Sequence, residues 1–148
     1  MASPSVADLL RAGRIETVQP DVTAAWSRID EATAHLASSA ALAGTDPALA
    51  YVALYDAARK AITAHMQANG YRPTNRTGAH QAVGLYAEAA LASSASLPHI
   101  QAFDRMRQVR NRSEYNQQPI TARLLSTDLG HATAIVAAVQ AGLPPRPA

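Results

Sequence analysis

An all-α fold, an antiparallel up-and-down bundle of about five helices, is what this chain of 148 residues predicts, and three observations predict it. Apolar residues recur with helical periodicity over long stretches, and no strand pattern competes with them anywhere. Short breaker clusters separate those stretches, and short loops between long helices favour antiparallel neighbours. The composition is 48% hydrophobic but only 5% aromatic, with alanine carrying much of the apolar content, which suits closely packed helices better than a sandwich or barrel. The length fits one domain with a sizeable core.

Residues 1–20 read as an N-terminal arm or short helix, with Ser5 as N-cap of a segment reaching Arg14. Residues 21–141 are the helical domain. Asp21 is a good N-cap, and the helix after it runs to about Leu42, with Trp26, Ile29, Leu36 and several alanines on its apolar face. Gly44-Thr45-Asp46-Pro47 is a stop and a restart: glycine past one helix end, aspartate as cap, proline at the first helical position. From Pro47 to Asn69, Leu54, Ala58, Ala61, Ile62 and His65 lie along one face, and Asp56, Arg59, Lys60 and Thr63 along another. Gly70 is a natural residue for the helix exit. A loop from Gly70 to Gly78 carries Arg72 and Arg76. Helices follow at about Ala79 to Ser93, Leu97 to near Tyr115, and Ile120 to Ala141, the last packing Leu125, Leu129, Ala132, Val136 and Val139. Residues 142–148 hold three prolines and read as a flexible tail.

The chain has no cysteine, which excludes disulfides and thiol catalysis. Thirteen basic residues against 11 acidic ones give a formal net charge of +2, too mild by itself to imply nucleic-acid binding. Lys60 is the only lysine. Arginine suits forked contacts to phosphate or carboxylate, and it is also what a GC-rich genome supplies by default. The N-terminus lacks the charged and apolar regions of a secretory signal, and no apolar stretch approaches the length of a membrane span. The expectation is a soluble cytoplasmic protein without membrane association. The five histidines, His35, His65, His80, His99 and His131, include no pair at helical metal-ligand spacing, so no metal or other cofactor is expected. No phosphate-loop, dinucleotide or nucleophile-elbow motif is present.

The stretch from Arg105 to Asn116 carries four arginines within eight residues. Arg110 continues a stripe with Phe103 and Met106, the spacing of one helical face. An arginine on an apolar face is costly unless it is paired or meets a ligand. One reading aims it into a cleft to hold phosphate or stabilise developing negative charge. The other pairs it with Glu114 one turn on, in the weaker orientation for such a pair. Arg105, Arg107 and Arg112 share no single face and read as a solvated basic surface. Asp56, with Arg59 and Lys60 one turn on, reads by itself as a surface ion pair. His80, beside the arginine-bearing loop and near a helix start, is the best histidine for proton transfer; its bland reading is a capping or core-rim residue.

Two segments together resemble the HEPN superfamily, compact helical domains named for higher eukaryotes and prokaryotes nucleotide-binding. One is Tyr55-Asp56-Ala57-Ala58-Arg59-Lys60-Ala61-Ile62, continuing through His65 and Gly70-Tyr71-Arg72-Pro73 to Gly78-Ala79-His80. The other is Arg107-Gln108-Val109-Arg110-Asn111-Arg112-Ser113-Glu114-Tyr115. The resemblance spans roughly residues 21 to 141 and implies a HEPN-like bundle. In active members an arginine, often followed by asparagine, and a later histidine cut RNA without a metal, two subunits facing each other across a dimer cleft. The resemblance therefore assigns Arg110 and Asn111 to a catalytic site, with Asp56 as helper. Tyr115 stands at the histidine position. A free tyrosine, with a pKa near 10, is a poor general base, but it can donate a hydrogen bond or stack on a base. Arg107, Arg112, Arg72, Arg76 and His80 are the expected nucleic-acid contacts. Toxin members paired with a nucleotidyltransferase antitoxin often carry a further tyrosine two positions on, where this chain has Gln117.

The expectation is a homodimer binding RNA or a nucleotide in its cleft. In its active form it would be a metal-independent ribonuclease of a toxin–antitoxin or defence system, with a nucleotidyltransferase-type or other antitoxin as partner. The alternative is a catalytically inactive helical module for dimerisation or protein interaction.

Overall fold

The computed structural model describes residues 3–93, 95–116 and 119–148, with the side chains of 114–116 outside that description. Within it the elements run α1 (Val6–Arg11), β1 (Ile15–Thr17), α2 (Val22–Leu42), α3 (Pro47–Ala68), β2 (Tyr71–Pro73), α4 (Ala79–Leu91), α5 (Leu97–Asn116) and α6 (Ala122–Gly142). It is an all-α bundle with one small sheet. The helices begin where the sequence supplies caps. Ser5 and Asp8 form a reciprocal capping box on α1. Asp21 accepts from the Ala24 N–H at 2.9 Å, Asp46 from Leu49 at 3.1 Å with Pro47 behind it, and Thr121 from Leu124 at 3.1 Å. Each cap satisfies a donor that a helix start otherwise leaves unmet.

Small residues at seven-residue intervals set the register of the α2–α3 hairpin. Ala25, Ala32 and Ser39 on α2, and Ala50, Ala57 and Ala64 on α3, are each fully buried. The Ser39 hydroxyl donates to the Ala50 carbonyl at 2.8 Å. In an antiparallel pair that contact brings Ala32 opposite Ala57 and Ala25 opposite Ala64. A seven-residue repeat keeps one seam facing its partner along the whole helix, and alanine lets the backbones approach closely. Across the same hairpin Lys60 reaches Glu31 at 2.7 Å and Arg28 reaches Gln67 at 2.7 Å.

α3 is the central helix: besides α2 it packs against α6, α5 and α4. Leu54, Tyr55, Ile62 and Met66 fill the core from its side, and Phe103, Met106, Leu125, Ile135 and Val139 from α5 and α6. α4 lies close on α5, where a Cβ at Gly84 would stand 3.4 Å from the Phe103 ring.

Two segments depart from the sequence reading. The expected absence of strands fails at Ile15–Thr17 and Tyr71–Pro73, which pair antiparallel with Ile15 opposite Pro73. Three-residue strands show too little alternation to register as a period. The pairing rests on Gly70, whose φ of +84° turns the chain and whose carbonyl accepts from the Val18 N–H at 2.8 Å. The N-terminal arm is thereby part of the bundle, with Leu9 and Ile15 buried; its helix stops at Arg11 rather than Arg14. The tail expected to be flexible lies against α2. Trp26 Nε1 donates to the Pro144 carbonyl at 2.9 Å. Arg146 forks onto Asp30 at 2.6 and 3.1 Å and covers the Trp26 ring at 4.3 Å. Among the described residues no helix is long and apolar enough to cross a membrane.

Candidate nucleic-acid interface

The stripe on α5 holds its sequence-expected shape. Phe103 and Met106 are fully buried, and Arg110 is half-buried at the end of the row. Its guanidinium carbon stands 6.0 Å from the centroid of the Tyr55 ring, at the outer limit of a cation–π approach. Tyr55 projects from α3 and is itself buried. Phe103 stacks on it at 5.2 Å, and the His80 ring lies nearly parallel to it at 6.4 Å. The Tyr55 hydroxyl and His80 Nδ1 are 3.2 Å apart. One buried phenol thus forms the floor on which Arg110 and His80 are both set.

Next to Arg110 and His80 is a cavity of about 360 Å³ between the start of α4 and the end of α5. Arg107, Arg110 and Asn111 line one side, and Gly78, Ala79, His80 and Gln81 the other. Gly78 is the N-cap of α4 with φ +89°, and no side chain caps that helix. The first-turn N–H groups, and the positive end of the helix dipole, are left for solvent or an anion. Arg110 Nη1 donates to Asn111 Oδ1 at 3.4 Å, and Arg107 Nε donates to Asp104 at 3.0 Å.

Protonation follows from the surroundings. Burial pushes the Tyr55 phenol up to about 12, against the opposing pull of Arg59, Arg107 and Arg110, so it keeps its proton. Desolvation, and then the positive charges of Arg59, Arg110 and Arg107, hold the His80 imidazole below its usual range, while Asp56 pulls the other way. Desolvation and these positive charges both favour the neutral imidazole over the cation. The arrangement offers fixed cations, free backbone donors and one neutral imidazole, the equipment for holding a phosphate group.

His80, Arg107, Arg110 and Asn111 therefore line one cavity, and Asp56, outside that lining, acts on His80 through its charge. Asp56 is half-buried and stands 3.6 Å from Arg59 Nε; its other candidate partner, Lys60, goes to Glu31. Three expected contacts are elsewhere. Arg112 is exposed and its charge acts on Tyr51, across α5 from the cavity. Arg72 pairs with Glu16 at 2.7 Å across the sheet. Arg76 donates to the Ala12 carbonyl at 3.2 Å. The Tyr115 side chain, and Glu114 as a partner for Arg110, lie outside the described side chains.

Sequence reading assigned no role to Tyr55. Its signal was position alone, one residue before Asp56. It also read Arg105 as part of a solvated basic surface. Arg105 is exposed, and beyond that reading it forks onto Asp128 at 2.6 and 3.1 Å, and Tyr51 donates to the same carboxylate at 2.6 Å. Asp128 is fully buried. It stands between Leu125 and Ala132 on one helical stripe, which was the available signal. His99 and His131 meet with their Nδ1 atoms 3.0 Å apart, but among the described residues no group of three or more ligating side chains forms.

No family model matches this chain, and neither a search of curated proteins nor one of solved structures finds a significant match.

Proposed function

We propose that this chain is a HEPN-like domain that holds an RNA phosphodiester in the cavity between α4 and α5, and that two copies form the complete cleft. The observation that carries this reading is the convergence of Arg110, Arg107 and the uncapped α4 N-terminus with a neutral His80 on one cavity. Net charge does not carry it, since an excess of +2 is small. The resemblance in the Arg110-Asn111 segment supplies the polymer and the second copy.

His80 gives this site a way round the exchange of histidine for Tyr115. In the tautomer whose Nδ1–H donates to the Tyr55 oxygen, Nε2 is a free base. It would take the proton of a ribose 2′-hydroxyl as that oxygen attacks the adjacent phosphorus. The bond to the 5′-oxygen breaks, solvent protonates that leaving oxygen, and a 2′,3′-cyclic phosphate remains. Arg110 would stabilise the charge on the phosphoryl oxygens, the part of such a reaction where fixed cations contribute most.

Incubation of the purified chain with a mixed RNA pool, in the presence of chelator, tests this directly. Cleavage by the wild type, lost in Arg110→Ala and in His80→Ala at unchanged helical content, is the expected result. RNA binding without cleavage, still lost in Arg110→Ala, supports the site as a binding cleft alone. Neither binding nor cleavage turns the reading to the inactive interaction module.

A further inference from the structure

A second cavity, of about 550 Å³, opens where β2 and the chain before α2 meet α2 and α3. We propose that it is a binding site for a nucleoside phosphate group, either that of a free nucleotide or that of the next nucleotide in a strand leaving the Arg110 cavity. Only the second source rests on the function proposed above.

Three guanidinium groups from three elements line this cavity: Arg28 of α2, Arg59 of α3 and Arg72 of β2. The one carboxylate in the lining, Asp21, is occupied as the N-cap of α2. Arg28 is anchored through Nε to Gln67 at 2.7 Å, which orients its fork and leaves the terminal nitrogens available. Arg72 is anchored likewise through Nε to Glu16. Arg59 Nε is buried with no hydrogen-bond partner among the described residues, its nearest carboxylate oxygen being 3.6 Å away. A buried donor left unmet is costly, and an anion or its water shell would relieve it. Forked, pre-oriented guanidinium groups match the oxygens of a phosphate. The volume exceeds what a bare anion needs and lies within the range of small-molecule sites. Tyr71 supplies a half-buried ring at the wall, tilted against Tyr86 at 5.9 Å, a surface on which a base can stack.

Arg59 joins the two cavities. It lines this one, and its charge is among those that depress His80 and act on Tyr55 in the other. A strand whose phosphate sits at Arg110 therefore has a neighbouring cationic site within the field of the same side chain.

Two probes test the proposal on the full chain: adenosine monophosphate by calorimetry, and a labelled 2′-O-methyl octanucleotide, which cannot be cleaved through its 2′-oxygen, by anisotropy. Arg28→Ala and Arg72→Gln are each expected to weaken binding roughly tenfold, the scale of one charge-assisted contact. Each should also lower the salt slope of octanucleotide binding by about one. Arg72 is exposed on the short sheet, so its variant reports even if Arg28→Ala disturbs the α2–α3 hairpin. Weaker binding of the monophosphate in these variants, with Arg110→Ala unaffected, assigns the cavity to a free nucleotide. Weaker binding of the octanucleotide alone assigns it to a strand. No measurable change with either probe in folded Arg28→Ala and Arg72→Gln, or no binding of either by the wild type, overturns the proposal. Loss of octanucleotide binding in Arg110→Ala only would overturn this cavity and leave the first one standing; the reverse pattern would do the opposite.

Discussion

A guanidinium seated over a phenol ring acts at a distance through its charge, and His80 is where that charge is felt. Its imidazole is partly desolvated and faces Arg59, Arg110 and Arg107, with Asp56 the opposing carboxylate. All four act on one titration, so its position reports the site as a whole. The folded state disfavours the imidazolium, so the unfolded chain binds the proton more readily. The stability His80 contributes is complete above the unfolded value of about 6.5 and is lost as pH falls through the lowered folded value. A phosphate bound beside it reverses the balance by favouring the cation. Proton NMR titration is expected to find His80 below the usual histidine range in the free protein, and to find it raised when an oligonucleotide is added. Arg110→Ala should raise it without ligand, since one of the repelling charges is gone. A His80 titrating normally in the free protein, and unmoved by Arg110→Ala, would detach it from the arginine cluster.

At the scale of elements, the buried carboxylate of Asp128 on α6 ties together Tyr51 of α3 and Arg105 of α5. Burial, and then the hydrogen bond to this carboxylate, push the Tyr51 phenol far up, and the Asp128 contact holds the Arg105 guanidinium still more firmly protonated. Removing Arg105 would leave a fully buried carboxylate with one phenolic donor, and breaking a buried pair from one side costs about 3–5 kcal/mol. Arg105 is 44% exposed at its side chain, so solvent can take part of its place and the lower end of that range is expected for Arg105→Ala. Urea unfolding measures it, and Asp128→Asn with Tyr51 intact should lose less than Arg105→Ala. The helices themselves were legible because they are long and periodic, and because Asp21 and Asp46 with Pro47 stand where caps belong; the Thr121 cap, one residue inside the expected start at Ile120, was found only in the structure. The two strands could not be read the same way, whereas Asp128 carried a signal in its place on the stripe with Leu125 and Ala132. Ile15 pairs with Pro73 across the whole of α2 and α3, and no local pattern encodes a partner that far along the chain. Arg110, by contrast, was visible because Phe103 and Met106 fix its face, whereas Tyr55 and the α4 N-terminus join the site only through folding. The tail's contacts with α2 were not legible for the same reason: three prolines give no period, and the partner, Trp26, is on another helix. Trp26 is the only tryptophan, so ending the chain after Leu143 should shift the emission to longer wavelength and cost about 1 kcal/mol, the value of one neutral hydrogen bond. An unshifted emission would mean that the tail does not cover the ring in solution.

For the whole molecule, the arginines are concentrated where α3, α4, α5 and the small sheet meet, so a mild net charge conceals a local cationic face. That concentration has a cost if nothing anionic covers it, since like charges repel. Such a face is placed either to meet a polyanion or to be completed by a second copy bringing opposite charge. Asp56 and Asp104 are already turned to Arg59 and Arg107 within the chain, so they offer little opposite charge to a second copy docked on this face, and a polyanion lying between the two would favour the pairing. The proposed cleft therefore makes a coupled prediction. Sedimentation equilibrium is expected to find a dimer that tightens when the 2′-O-methyl octanucleotide is present, and that weakens with added salt only in the presence of that strand. Arg107→Ala should strengthen the strand-free dimer, by removing a repelling charge, while weakening binding of the strand. A monomer at every concentration, with and without oligonucleotide, would make the site the property of a single chain. Dimerisation indifferent to both salt and strand would instead move the contact between copies away from α5, to an apolar face elsewhere on the bundle.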